Sequence, residues 1–315
     1  MFVHLRWRGT YSMLEWIGSN LAILQRAKEL WQPAIALTDF NGVYGVVDFY
    51  SKAKTVDIQP LLGVELPYIP QAIMLWKDKN TILTTGTLTI LALSETGYHN
   101  LLAIVSQAYD NAHYDIPCVD NATLAAHRED ILVLAGGIGS YFYQSVAMNH
   151  DEEILITHLQ ELQEIVGKDH FVIDITAQSF DFYPVLKALH SLLLSYALQH
   201  ELLIVTSSGF TYPYQDQKTA YETALAIKDN KRTYDPDARK IQWAYHILSE
   251  DEVRTILLNN GYDWSDVELW MSNTLKVAEM SHVKIVLGQS LFPNYPVPQE
   301  IQDLYDKYKD NLIQE

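Results

Sequence analysis

Short apolar runs alternate with longer amphipathic stretches along most of the chain. Phe2-Val3-His4-Leu5 reads as a first strand, and a helix over 19–30 follows it. That helix opens on Ser19 or Asn20 and carries Leu21, Leu24, Ala27 and Leu30 at helical spacing. Further buried strands are expected at 33–38, 60–66, 88–93, 131–134, 171–175 and 202–206, with helices at 46–54, 98–109, 151–166 and 184–200. Strands separated by helices predict βαβ units and a mainly parallel sheet. Spacing alone leaves a barrel and an open sheet equally available. After Thr206 the texture changes. A helix is expected over 217–228, a polar loop over 229–240, a capping box at Ser249-Glu-Asp-Glu252, and another helix over 264–282. Phe292-Pro-Asn-Tyr-Pro-Val-Pro298 is too proline-rich for regular structure, and helical residues over 301–313 follow it.

Composition narrows the class. The 315 residues carry 22 Lys and Arg against 39 Asp and Glu, a formal charge of -17. A phosphate backbone is neutralised by clustered cations, so the chain as a whole is no cationic sleeve for nucleic acid. Hydrophobic residues at 48% argue against disorder. No apolar run nears the roughly 18 residues a membrane helix needs, and the first residues lack the apolar core of a signal peptide. The single cysteine, Cys118, forms no internal disulfide and fits a reducing cytoplasm.

Isolated motifs say little about chemistry. None of the eleven histidines stands in HxH, HExxH or DxH spacing, so no short segment offers two imidazoles to one metal ion. His158, His190 and His200 fall on expected helices, as structural histidines do. Cys118 has no histidine beside it in sequence and reads as a quiet thiol. Ala135-Gly-Gly-Ile-Gly-Ser140 lacks both a full dinucleotide fingerprint and a P-loop lysine, and reads as a tight strand-to-helix turn.

Longer strings carry a resemblance. Phe2-Val-His-Leu-Arg-Trp-Arg-Gly-Thr-Tyr-Ser-Met-Leu14, Ala27-Lys-Glu-Leu30, Pro33-Ala-Ile-Ala-Leu-Thr-Asp39, Gly45-Val-Val-Asp-Phe-Tyr50 and Gln59-Pro-Leu-Leu-Gly-Val-Glu65 resemble, in order, the opening of bacterial DNA polymerase III alpha subunits. So do Leu91-Ala-Leu-Ser-Glu-Thr-Gly-Tyr-His-Asn-Leu-Leu102 and the Phe292 segment. The amino-terminal part of that family is a polymerase-and-histidinol-phosphatase (PHP) domain. The resemblance therefore implies a distorted (β/α)7 barrel over 1–285, with a linker and the first elements of a polymerase palm over 286–315. It also implies that the chain is an amino-terminal part of a longer polymerase.

Members with an active PHP site hold metals with histidines, carboxylates and a cysteine. Here the first two histidine positions fall on Arg6 and Arg8, the next on Phe40, the cysteine on Gly137 and a further histidine on Gln178. The final Asp-x-His becomes Ser208-Gly209-Phe210, while Asp39 and Glu65 remain, with Glu15 a possible neighbour. Guanidiniums do not shed their protons, so no metal and no catalytic residue is expected in this segment. Arg6 and Arg8 are expected to pair with Asp39 and Glu65; an anion site on the two arginines is the rival. Magnesium belongs only to the absent palm. The resemblance implies a scaffold that supports the polymerase chain, meets DNA only through the full-length protein and docks the proofreading exonuclease subunit. Trp16 and Trp31, at positions where the family has glycines, are the candidate interface anchors. The enzyme-class alternative is a metal-dependent phosphoesterase or 3′-5′ exonuclease with a rearranged ligand set.

Overall fold

A computed structural model describes residues 1–14, 16–70, 86–112, 116–242, 245–289 and 296–312, with 310–312 described in backbone only. Contacts divide the chain into a large unit, Met1–Lys284, and a small one, Ile285–Glu315.

The large unit is built on one seven-stranded sheet. Helix α1 (Asn20–Glu29) precedes β1 (Ala34–Phe40), and α2 (Val46–Val56) precedes β2 (Gln59–Ile69). Then come β3 (Gly86–Ala92), α3 (Glu95–Asp110), β4 (Val119–Asp120), α4 (Asn121–Ala126) and β5 (Ile131–Gly136). They are followed by α5 (Tyr141–Ala147), α6 (Glu152–Val166), β6 (Phe171–Thr176), α7 (Val185–His200) and β7 (Leu203–Ser207). The order across the sheet is β1-β2-β3-β5-β6-β7, with β4 beside the end of β2. All of these pairings are parallel except those of β3, which runs antiparallel to both β2 and β5. The sheet curls, and its arrangement is that of a distorted (β/α) barrel.

Residues 2–5 do not form the expected strand. Among the described residues the chain from 2 to 8 makes two isolated bridges, His4 to Ile35 and Trp7 to Phe210. It runs between β1 and the chain just beyond β7, with the Ala36 and Thr38 amides donating to the His4 and Trp7 carbonyls. An irregular stave thus spans the gap between the two outer strands of the sheet. Periodicity also missed the short β4, α4 and α5, because two to seven residues are too few to show a period.

Alternate residues of the strands feed two apolar layers, as a sheet covered on both faces requires. Ile131, Val133 and Ala135 pack with α3, α6 and α7, while Leu132 and Leu134 pack with Val3, Leu5 and Val277. Helices α8 (Lys218–Lys228), α9 (Glu250–Asn259) and α10 (Trp264–Met280) complete the unit. The Ser249/Glu252 capping box opens α9 as its sequence predicts. Along α10, Thr274 Oγ1 accepts the Val3 amide and Asn273 Nδ2 donates to the Ile204 carbonyl. The carbonyls of Ala278 and Ser281 receive Gln59 Nε2. These contacts close the end of the sheet where β2 and β7 begin, which leaves functional side chains the other end.

The small unit contains α11 (Gln299–Leu312), whose residues Ile301, Leu304, Tyr305 and Tyr308 are exposed at helical spacing. The proline-rich segment before it lies partly outside the described residues, at 290–295. Among the described residues no helix is long and apolar enough to cross a membrane.

Gly97, in the first turn of α3, is one of the tightest backbone approaches. A Cβ there would fall on the Asp130 carbonyl oxygen, which already accepts the Leu93 amide. Gly97→Ala should therefore lower the unfolding free energy by about 1–3 kcal/mol in urea titration. Gly209→Ala, with nothing near the added carbon, should stay within about 0.5 kcal/mol of the parent chain.

Candidate functional site

The stave and the carboxyl ends of the parallel strands enclose a cavity of about 470 Å³. Its lining includes Arg6, Trp7, Arg8, Glu65, Gln178, Ser208 and Phe210. Charge is concentrated at its base. Arg6 and Glu65 are both nearly inaccessible, and their Nη2 and Oε1 atoms lie 3.1 Å apart. Arg8 grips the same carboxylate from the outer side, Nη2 at 3.0 Å from Oε1 and Nε at 3.0 Å from Oε2. Thr87, at the start of the antiparallel β3, donates its hydroxyl to Oε1 at 2.5 Å. Burial alone would raise the Glu65 pKa, but Arg8, Arg6 and these hydrogen bonds outweigh it and hold the group at about 2.

A second acid, absent from the sequence expectations, joins them. Asp174, wholly buried in β6, lies with Oδ2 3.6 Å from Arg6 Nη1 and accepts the Ser207 hydroxyl at 2.6 Å. Burial pushes its pKa up, and Arg6 and Ser207 offset this only in part. The signal was an aspartate inside the otherwise apolar Phe171-Val-Ile-Asp-Ile175, where a buried carboxylate needs a partner. Gly137 explains how Arg6 fits. Its φ is +94°, and a Cβ there would coincide with the Arg6 guanidinium. The arginine fills the space that a side chain at position 137 would take.

The expected pairing of Asp39 with an arginine needs correction. Asp39 Oδ1 is held by the Gly9 amide and the Ser12 hydroxyl, each at 2.7 Å, and Ser12 Oγ in turn accepts the Phe40 amide. Asp39 fastens the stave to β1, and Arg8 reaches it only through space. Burial raises its pKa against those hydrogen bonds. Phe40 lies beneath Arg8, with the guanidinium carbon 4.8 Å from the ring centroid. Gln178 is buried and its carbonyl accepts Asn260 Nδ2. Ser208 meets His4 Nδ1 at 3.1 Å. Phe210 stacks on Trp7. Glu15 lies outside the described residues.

Trp16 is a second correction. It is buried, set edge-on to Trp7 and Phe210, with its indole N–H donated to the Gly18 carbonyl, so it is no surface anchor. Trp31 is 86% exposed and sits at φ +59° just beyond α1, the left-handed position that glycine usually takes. Cys118 is buried, its thiol pushed up to about 12 by burial and by Asp120.

Two histidines beside the site are locked neutral. His4 Nε2 lies 3.0 Å from the Leu248 carbonyl, and burial lowers the group to about 4. His190 Nε2 accepts the Thr176 amide, so its proton sits on Nδ1 and is donated to Tyr262; burial lowers it to about 3.

The donor set does not fit a polynuclear metal centre. Among the described residues no group of three His, Cys, Asp or Glu side chains is placed to hold a metal ion, and Glu65 is already satisfied by two guanidiniums and a hydroxyl.

Residues 4–178 match the family described as the PHP domain, and the chain belongs to it. The chain is similar to the DNA polymerase III alpha subunits of Pasteurella multocida (28% identity over 298 residues, 94% of this chain) and Thermus aquaticus (27% over 306 residues, 95% of this chain). It spans 24% of the length of each. A solved structure titled as an amidohydrolase from Chromobacterium violaceum, with bound sulfate and no metal, is 13% identical with a TM-score of 0.42, over 69% of this chain and 89% of that one.

Two outcomes follow from the buried charges. Arg6→Ala leaves Glu65 and Asp174 short of a countercharge and should cost about 3–5 kcal/mol in urea titration. Acid should also unfold the chain in stages. His4 and His190 bind protons in the unfolded chain near pH 6.5 but resist them when folded, so stability falls as pH drops below 6.5. Glu65 adds a further loss between about 4.5 and 2. His4→Asn should flatten the slope between pH 6 and 4.5 by about 1.4 kcal/mol per pH unit; an unchanged slope would show that His4 titrates normally.

Proposed function

We propose that this chain is a non-catalytic, metal-free PHP domain that works in DNA replication as a scaffold within a DNA polymerase III alpha chain. The observation that supports this most is the filled pocket base. Arg6 and Arg8 stand over Glu65, with Asp174 behind, where a catalytic cation would have to bind. A guanidinium supplies positive charge without vacant coordination positions and cannot lower the pKa of a bound water, so hydrolysis has neither Lewis acid nor nucleophile. On this reading residues 1–285 are the PHP domain and 286–315 the linker and start of the palm. Magnesium chemistry and most DNA contact belong to the longer polymerase, in the cytoplasm.

The scaffold reading includes docking of the proofreading exonuclease subunit. Of Trp16 and Trp31, Trp31 is the candidate anchor, because it is the one the fold leaves exposed.

Metal analysis and a nuclease assay with manganese or zinc test the first part. Stoichiometric metal, or hydrolysis abolished by Glu65→Ala in the purified chain, would sink the metal-free reading. Pull-down of the cognate exonuclease tests the second: Trp31→Ala should weaken capture at least several-fold, and undiminished capture removes Trp31 from the interface.

A further inference from the structure

Positive charge is scarce in this chain, and one loop is enriched in it. The 13 residues 228–240 hold five of the 22 Lys and Arg, namely Lys228, Lys231, Arg232, Arg239 and Lys240, against three of the 39 Asp and Glu. All three acids serve the loop's own fold. Asp229 is gripped by Arg239 through Nε at 2.5 Å and Nη2 at 2.8 Å. Asp237 pairs with Lys231 at 2.8 Å, and Asp235 accepts the Arg232 amide at 2.8 Å. The loop is therefore pinned and carries net positive charge on a chain of -17.

The loop also presents an aromatic platform. Tyr234 is 74% exposed, with Arg232 Nη1 2.8 Å from its hydroxyl and the guanidinium carbon 5.7 Å from its ring centroid. Beyond it, Arg239 and Lys240 line the cavity whose base holds Arg6 and Arg8, and Glu65, paired with those two, is the one acid among the described residues of its lining. Lys240 keeps a long pair, 3.5 Å, with Glu222.

We propose that this basic rim holds a single-stranded nucleic acid. Arg232 and Lys240 would take phosphodiesters, and an unpaired base would stack on Tyr234. Exposed cations interleaved with an aromatic face are what a single strand needs, whereas a duplex hides its base faces. Direct binding by this loop goes beyond the scaffold reading and does not depend on it. The contact is local, and the acidic remainder of the surface makes it weak and sensitive to salt.

Fluorescence anisotropy of a labelled oligothymidylate of about 20 nucleotides, titrated with the whole chain at about 50 mM salt, tests the proposal. The parent chain should bind, and the double substitution Arg232→Ala with Tyr234→Ala should weaken binding about tenfold at an unchanged melting temperature. Lys240→Gln, a milder change, should reduce the slope of log affinity against log salt by about 0.7. Absence of binding by the parent chain, or unchanged affinity in both variants, overturns the proposal. Loss with Lys240→Gln but none with Tyr234→Ala, together with equal competition by polyglutamate, would overturn it in favour of an acidic polypeptide.

Discussion

The arrangement of the whole pocket depends on one buried ion pair, Arg6 with Glu65. An ionised carboxylate with almost no access to water loses several kcal/mol of hydration, and only close, well-formed donors repay that loss. Glu65 has them from three directions: Arg6 from the stave, Arg8 two residues on, and Thr87 from β3. These elements are brought together by one carboxylate. The antiparallel direction of β3 matters here, because it brings the amino end of that strand, with Thr87, to the level where the parallel strands finish. Gly137 is the other half of the constraint, since any side chain there would compete with the guanidinium for the same volume.

The stave inherits its position from the same interactions. Residues 4–8 have too few backbone pairings to count as a strand, yet they are buried almost throughout. Their side chains alternate between polar anchors and aromatic packing. His4 is bound by the Leu248 carbonyl, Arg6 by Glu65 and Asp174, and Arg8 by Glu65, while Trp7 inserts among Trp16, Phe49 and Phe210. Asp39 adds two further ties through Gly9 and Ser12. Side-chain bonding has taken over the work that ladder hydrogen bonds do elsewhere in the sheet.

Much of this is legible in the sequence. Apolar runs located six of the seven strands and amphipathic spacing the long helices, because long buried elements impose their period on the sequence. Arg6, Arg8 and Glu65 were legible as one site through family resemblance. The exceptions have definite causes. Phe2-Val-His-Leu5 has the composition of a strand because it is buried like one, but burial does not guarantee a ladder. Trp16 has the composition of an anchor, but its burial comes from contacts with Phe210, almost 200 positions away in sequence. Asp174 and Arg6 are separated by more than half the chain, and no local pattern pairs them. The fit of Arg6 against Gly137 is a matter of volume, which a linear pattern does not contain.

On the scaffold reading, a tethered cation differs thermodynamically from a bound one. A metal stabilises a fold in proportion to the logarithm of its free concentration, and it leaves when chelated or when its ligands take up protons. Arg6 is covalently part of the chain, so on that reading the pocket's cohesion is independent of metal supply. The same substitution removes the vacant coordination position on which hydrolysis would rely. On that reading the barrel keeps its architecture without a metal and without the reactivity a metal would supply, and its exposed surface is then free to be shaped by what it binds.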